Sequence, residues 1–237
     1  MTDTARLDNV KHAALRLRRG HGAPFGEAVN QVPVFASEFL EVQREYPILF
    51  ARQDDGALQA VAILGLERDE NLFLDGARWD ARYVPAILAR GPFLIGFSGE
   101  EPVIHVDLSH PRLAAEGEDG EPLFLPQGGN APALETAMEA LRALHLGQIA
   151  APVMTALFTE LELVEPVQLQ VQLDDRSVID FAGYLAITPE RIAALSPEAL
   201  GRLNAAGLLD AAVHAAASLG TMNHLAARKR RKGASQS

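Results

Sequence analysis

A change of period constrains this fold more than anything else in the sequence. From Ala133 onward apolar residues recur at helical spacing (Leu134, Ala137, Met138, Leu141, Leu144), and the pattern resumes in "APVMTALFTELEL" after Gly147 and Pro152 interrupt it. Two consecutive helices or one kinked helix are therefore expected here. Both flanks read as strands. Downstream, "VQLQVQL" alternates strictly, as a half-buried antiparallel strand does. Upstream, "ILFARQDDGALQAVAILGL" reads as a hairpin about Asp54-Asp55-Gly56, and "FLIGFSGEEPVIHVDL" as another about Ser98 to Glu101. "AALRLRR", residues 13 to 19, also alternates as a strand would, and "ASEFLEVQREY" reads as a short helix with Ser37 at its N-cap. Thr188-Pro189-Glu190 and Ser196-Pro197-Glu198 are two helix starts, and a last helix runs from about Leu208. No βαβ series is present. The class is α+β: mainly antiparallel strands in the N-terminal half, a central helical segment, a C-terminal strand pair and closing helices. One domain over residues 1–227 is expected, because the one-faced strands near each end need a core to share.

Composition narrows the chemistry. The chain has 237 residues, 48% hydrophobic and 22% charged, enough apolar surface to build a core. It has no cysteine, which excludes disulfides, thiolate metal sites, iron–sulfur clusters and a cysteine nucleophile. The N-terminal residues lack the apolar stretch of a secretory signal, and no unbroken apolar run approaches the roughly 20 residues of a membrane span. A soluble, cytoplasmic protein is the expectation. Net charge is −10, although "RKRRK" at 228 to 232 is wholly basic. The acidic body disfavours nucleic acid except through weak contact with that tail. The tail, residues 228–237, is expected to be disordered from about Lys229.

Three clusters invite a functional reading. In "VIHVDLSHPR" His105 and Asp107 share one face of a strand, and His110 follows after the strand ends. Such a set suits iron or zinc with a third ligand from His110 or a distant histidine; alternatively Asp107 caps the turn and no metal or other cofactor is held. In "RWDARY", Arg78, Trp79, Arg82 and Tyr83 have the composition of a ligand- or partner-binding surface, or the two aromatics pack the core edge. In "PQGGNAP", Gly128, Gly129 and Asn130 precede a helix and either receive an anion or turn the chain. Neither a Ser-His-Asp order nor a Gly-x-Ser-x-Gly elbow is present.

The order of several segments carries a resemblance. "EYPILF" (45–50), "NLFLDGARWDARYVPAILARGPF" (71–93), "EPLFLPQGGNAPALE" (121–135), "TELELVEPVQLQVQL" and the course from "GYLAITPERIAAL" to "MNHL" together resemble the bacterial SapC family, from about residue 5 to 226. The resemblance implies a surface-layer-associated type of protein without an established activity, and it brings no catalytic residues to carry over. The expectation is a non-catalytic binding or accessory protein whose protein or small-ligand partner is unspecified. The alternative is a metal-dependent enzyme, of non-haem iron oxygenase type, built on His105 and Asp107.

Overall fold

The hairpin centred on Gly56 is the middle of the larger sheet. In a computed structural model, which describes residues 3–99, 101–172 and 178–234, strands Ile48–Arg52 and Leu58–Ile63 pair antiparallel. Gly56 takes a φ of 85°, the left-handed turn value that glycine adopts freely. Ile48, Leu49 and Phe50 are all buried, as are Ala60 to Ile63. Successive side chains point to opposite faces, so both faces of these strands are covered. The sheet order is Glu165–Gln172, Val178–Ala186, Ile48–Arg52, Leu58–Ile63, Gln31–Pro33, every neighbouring pair antiparallel. The second predicted hairpin, Phe93–Ser98 with Glu101–Asp107, joins Thr4–Arg6 in a three-stranded sheet. The architecture is α+β as the periodicities imply.

Other elements differ from the sequence reading in extent. Of "AALRLRR" only Arg16–Leu17 is strand, held between Leu113–Ala114 and Glu121–Pro122. "ASEFLEVQREY" becomes a 3-10 turn, Ala36–Glu38, followed by the short helix Phe39–Val42. Both Pro-initiated helix starts form as expected: Thr188 Oγ1 accepts from the Arg191 amide and Ser196 Oγ from the Ala199 amide.

The central segment is one continuous helix, Pro132–Glu160, with Pro152 inside it. Proline has no N–H to give the carbonyl of Gln148. Pro152 and Gln148 are both exposed, so water is at hand for that carbonyl. The helix joins two apolar clusters. Its first half gives Leu134, Ala137 and Leu141 to a cluster with Phe93, Val106 and Leu123. Its second half gives Met154, Leu157 and Phe158 to the main core under the larger sheet. Leu15 and Leu17 pack on the first cluster and Val171 in the second, so the one-faced strands near the two ends meet through this helix and do not share a cluster. By length and composition this helix alone, among the described residues, passes for a membrane span, which a search for unbroken apolar runs does not register. One of its sides is built into the core, and a third of its most apolar stretch is buried.

The basic tail is the principal correction. Residues Met222–Ala234 are helical. Arg228 bonds Asp80 at 2.5 Å and lies 4.3 Å over the Phe73 ring. Lys229 pairs with Glu70 at 2.6 Å and Glu67 at 3.0 Å, and Lys232 donates to the carbonyls of Asn71 and Leu74. Leu225 and Ala226 anchor the helix start in the core, and an acidic patch some 150 residues upstream neutralises its end. Residues 235–237 of the tail lie outside the described ones.

Two helical glycines give opposite expectations. A Cβ on Gly147 would lie 2.2 Å from the Phe35 Cβ, whereas one on Gly201 meets nothing within 4 Å. Glycine in a helix interior is worth about 1 kcal/mol less than alanine. Gly201→Ala is thus expected to raise urea-unfolding stability by up to about 1 kcal/mol. Gly147→Ala is expected to lower it by about 1–3 kcal/mol through overpacking. Equal gains at both sites would contradict the close approach of Phe35 to the helix.

Candidate functional site

The strand Glu101–Asp107 presents His105 and Asp107 as the sequence implies, but each is occupied locally. The imidazole of His105 lies across Gly96 on the paired strand, so near that a Cβ there would be 2.6 Å from the ring. Asp107 Oδ1 accepts from the Ser109 hydroxyl at 2.6 Å and the Ser109 amide at 3.0 Å. These bonds, the hydroxyl first, hold the Asp107 carboxyl below its ordinary range. His110 Nδ1 accepts from the Arg112 amide at 3.1 Å. Burial depresses the His110 pKa, with Asp107 opposing the shift. Among the described residues no three or more His, Asp or Glu side chains gather as a metal would require.

The "RWDARY" segment divides between inside and outside. Trp79 is buried, donates from Nε1 to Tyr46 Oη at 2.8 Å and stacks on Phe73. Tyr83 Oη donates to Glu38 at 2.8 Å. Tyr46 Oη in turn donates to the Tyr83 carbonyl. Arg78 and Arg82 are exposed, with Arg78 at 3.6 Å from Asp75. The aromatics therefore pack the core edge, Tyr83 half-buried, while the two arginines face outward. In "PQGGNAP", Gly128 and Gly129 take φ of 94° and 92° in a turn closed by the Leu125 amide on the Gly129 carbonyl. Asn130 Nδ2 reaches Met138 Sδ at 3.2 Å. The geometry is that of a turn that redirects the chain into the central helix.

Two buried carboxylates escaped the sequence reading, because Arg112, Tyr83 and Ala86, which join their near neighbours around them, lie 45 or more residues away. Glu27 bonds Arg112, His21 Nδ1 at 3.0 Å and the Gly22 amide at 2.7 Å. Arg112 also donates to the Gly20 carbonyl and lies 4.4 Å over Phe25. Burial pushes the Glu27 carboxyl up, but the His21 and Gly22 hydrogen bonds and the Arg112 charge outweigh it and hold the group below its ordinary value. Glu38 has no such cation. It accepts from Tyr83 Oη, the Ala86 amide and the Phe35 amide, and burial, the larger effect, raises its pKa. Among the described residues every buried side-chain N or O atom has a partner, so these groups read as internal fasteners.

One recess, about 750 Å³, adjoins two of the candidate segments and is lined by Arg6, Lys11, Val103, Ile104, Asn130 and Met138 among others. Another, about 910 Å³, runs between the Gly56 hairpin and the central helix, lined by Phe35, Gln53, Leu58, Gln148, Thr155 and Thr159 among others. Thr155 Oγ1 accepts from the Leu58 amide at its floor. A third, about 550 Å³, is a mainly apolar hollow between the end of the central helix and the helix Pro197–Ala205, with the Glu160–Arg202 pair at its edge. Beside it runs an uncovered apolar stripe: Leu146, Ile149 and Val153 are 55%, 63% and 54% exposed. Periodicity could have revealed this stripe, because these residues continue the helix's apolar pattern round a face that no neighbouring element covers.

A family model described as SapC matches residues 7–225. No curated protein and no solved structure matches the chain.

The buried Glu38 has a pH signature. Its folded pKa lies above the ordinary 4.5, so the folded state binds more protons than the unfolded state in the window upward from about that value. Its contribution to stability is then present at low pH and lost as pH rises through the folded pKa. Glu38→Gln is expected to remove this component of the pH dependence. It should also cost about 1–3 kcal/mol, because one amide oxygen cannot serve three donors. Urea unfolding of both proteins between acid and neutral pH measures this; parallel stability curves would contradict the raised pKa.

Proposed function

The chain belongs to the SapC family, and from that premise we propose that it is a non-catalytic binding or accessory protein whose ligand lies in the groove between the Gly56 hairpin and the central helix. The observation that carries this reading is the lining of that groove. Gln53, Gln59, Gln148 and Thr159 supply neutral donors and acceptors beside apolar Phe35, Ala57 and Leu58. The carboxylates at its margin are engaged within the chain, Glu160 by Arg202 and Asp55 by the Ala57 amide. A recess of mixed polarity, with Arg52 at its rim donating to the Gly56 carbonyl, matches an extended protein segment, whose backbone needs both donors and acceptors. The metal-dependent reading has no comparable support: His105 packs on Gly96 and Asp107 is held by Ser109.

Selection of random displayed peptides on the purified protein tests the proposal. Enriched peptides are expected to bind the wild type and to lose about tenfold or more in affinity, roughly 1.4 kcal/mol, for Thr159→Trp, which fills the groove from an exposed position. The melting temperature of that variant should stay near the wild-type value. Peptides that bind both proteins equally, or no enrichment at all, would contradict a groove-centred binding role.

A further inference from the structure

The recess of about 750 Å³ borders the smaller apolar cluster, and its charged lining is mainly cationic in a chain of net charge −10. Three distant segments build it: residues 6–11, the strand Glu101–Asp107 through Val103 and Ile104, and the stretch from Phe124 to Met138. Ile104, Phe124, Leu134 and Met138 of its apolar lining all pack in that cluster. Its polar lining is Arg6, Asp8, Asn9, Lys11 and Asn130.

Neither cation is clasped by a carboxylate. Among the described residues Arg6 and Lys11 have no ion-pair partner, whereas Arg18, Arg19, Arg191 and Arg202 each hold one. Asp8 is the one acid of the lining among the described residues. Its Oδ1 accepts from the amides of Val10 and Lys11 at 2.9 and 2.8 Å, so it closes the turn of its own loop. The Asp8 amide in turn donates to His12 Nδ1 at 3.0 Å, which braces the loop that presents Lys11. Arg6 is placed by the pairing of its strand, opposite His105. Among the described residues Asn130 Nδ2 reaches only the Met138 thioether, a weak acceptor, so it stays available to a stronger one.

We propose that this recess binds a phosphate monoester, with the phosphate between Arg6 and Lys11 and the body of the ester against Asn9, Asn130 and the apolar lining. Charge fixes the sign of the ligand. A phosphate monoester carries about −1.5 to −2 at pH 7, which matches two cations. A monocarboxylate would leave one of them without a counter-charge. The planar fork of Arg6 and the point charge of Lys11 are the two donor geometries that phosphate accepts best. The volume lies in the range of small-molecule sites, so an organic body has room beside the phosphate. The two asparagine amides offer donors and acceptors to hydroxyl groups on that body. A soluble ester and a lipid headgroup share this chemistry. The site is separate from the peptide groove and does not depend on it.

Amide NMR of the isotope-labelled full chain, at constant ionic strength, tests this with inorganic phosphate and glycerol phosphate. Both are expected to shift the signals of Arg6, Lys11 and Asn130 along saturable curves. Propionate should bind glycerol phosphate's site at least about tenfold more weakly. Arg6→Gln combined with Lys11→Gln, both at exposed positions, is expected to lower the affinity for glycerol phosphate about tenfold or more. The melting temperature should stay near the wild-type value. Arg68→Gln, an exposed cation outside the recess, should leave the affinity unchanged. Vesicles of phosphatidic acid in phosphatidylcholine distinguish the sources. Binding to them that requires Arg6 and Lys11, with none to glycerol phosphate, supports the site and makes its ester a lipid headgroup. No saturable response to phosphate, glycerol phosphate or these vesicles overturns the proposal. So does propionate binding as tightly as glycerol phosphate, or an affinity that survives the double substitution or falls equally for Arg68→Gln.

Discussion

The rest of the structure depends on the burial of the central helix along one side. Its first turns close the cluster around Phe93, Val106 and Leu123, and its last turns close the main core with Met154, Leu157 and Phe158. Neither cluster is contiguous with the other in the sheets; this element packs against both. Gly147, midway along, permits Phe35 to approach the helix, and Ser37 Oγ adds a hydrogen bond to the Ala143 carbonyl. Once this side is committed, the opposite side must face outward. The groove and the apolar stripe are both consequences of that orientation, so the docking of the helix produces the groove for which a function is proposed.

Charge secures the periphery. The Glu27–Arg112 pair links residues 20 to 27 with the turn after strand Glu101–Asp107, with Phe25 against Arg112 and Trp79 against His21. Buried pairs of this kind add little net stability, but losing one partner strands the other in a low-dielectric site at a cost of about 3–5 kcal/mol. The C-terminal helix works differently. Arg228 and Lys229 meet Asp80, Glu67 and Glu70 near the surface, where each pair is worth less singly and the set, together with the cation–π contact on Phe73, fixes the helix. An acidic body with a basic terminus is thus partly self-neutralised.

The sequence was legible wherever the determinant is local. Both hairpins formed where glycine turns separated apolar runs, and Thr188 and Ser196 capped the helices that their following prolines announced. Contacts distant along the chain were not legible. The sequence leaves Lys229 without a partner because nothing near it names Glu67 and Glu70, and it leaves Trp79 open between a binding surface and the core edge because its partner Tyr46 lies 33 residues away. Pro152 suggests either a break or a kinked single helix; the structure keeps one helix, the proline standing on the exposed side, where the lost hydrogen bond meets solvent. The candidate residues His105, Asp107, Gly128 and Gly129 were visible as unusual residues, but their local strand and turn partners account for them.

Native-state hydrogen exchange along the central helix tests the spine most directly. If the helix is the common wall of both cores, its buried amides from Ala137 to Phe158 share one opening free energy, equal to that of global unfolding. Residues before and after Pro152 should lose protection together as denaturant is raised. A lower opening free energy confined to Val153–Phe158, with the first half still protected, would show two independently unfolding halves and contradict the account.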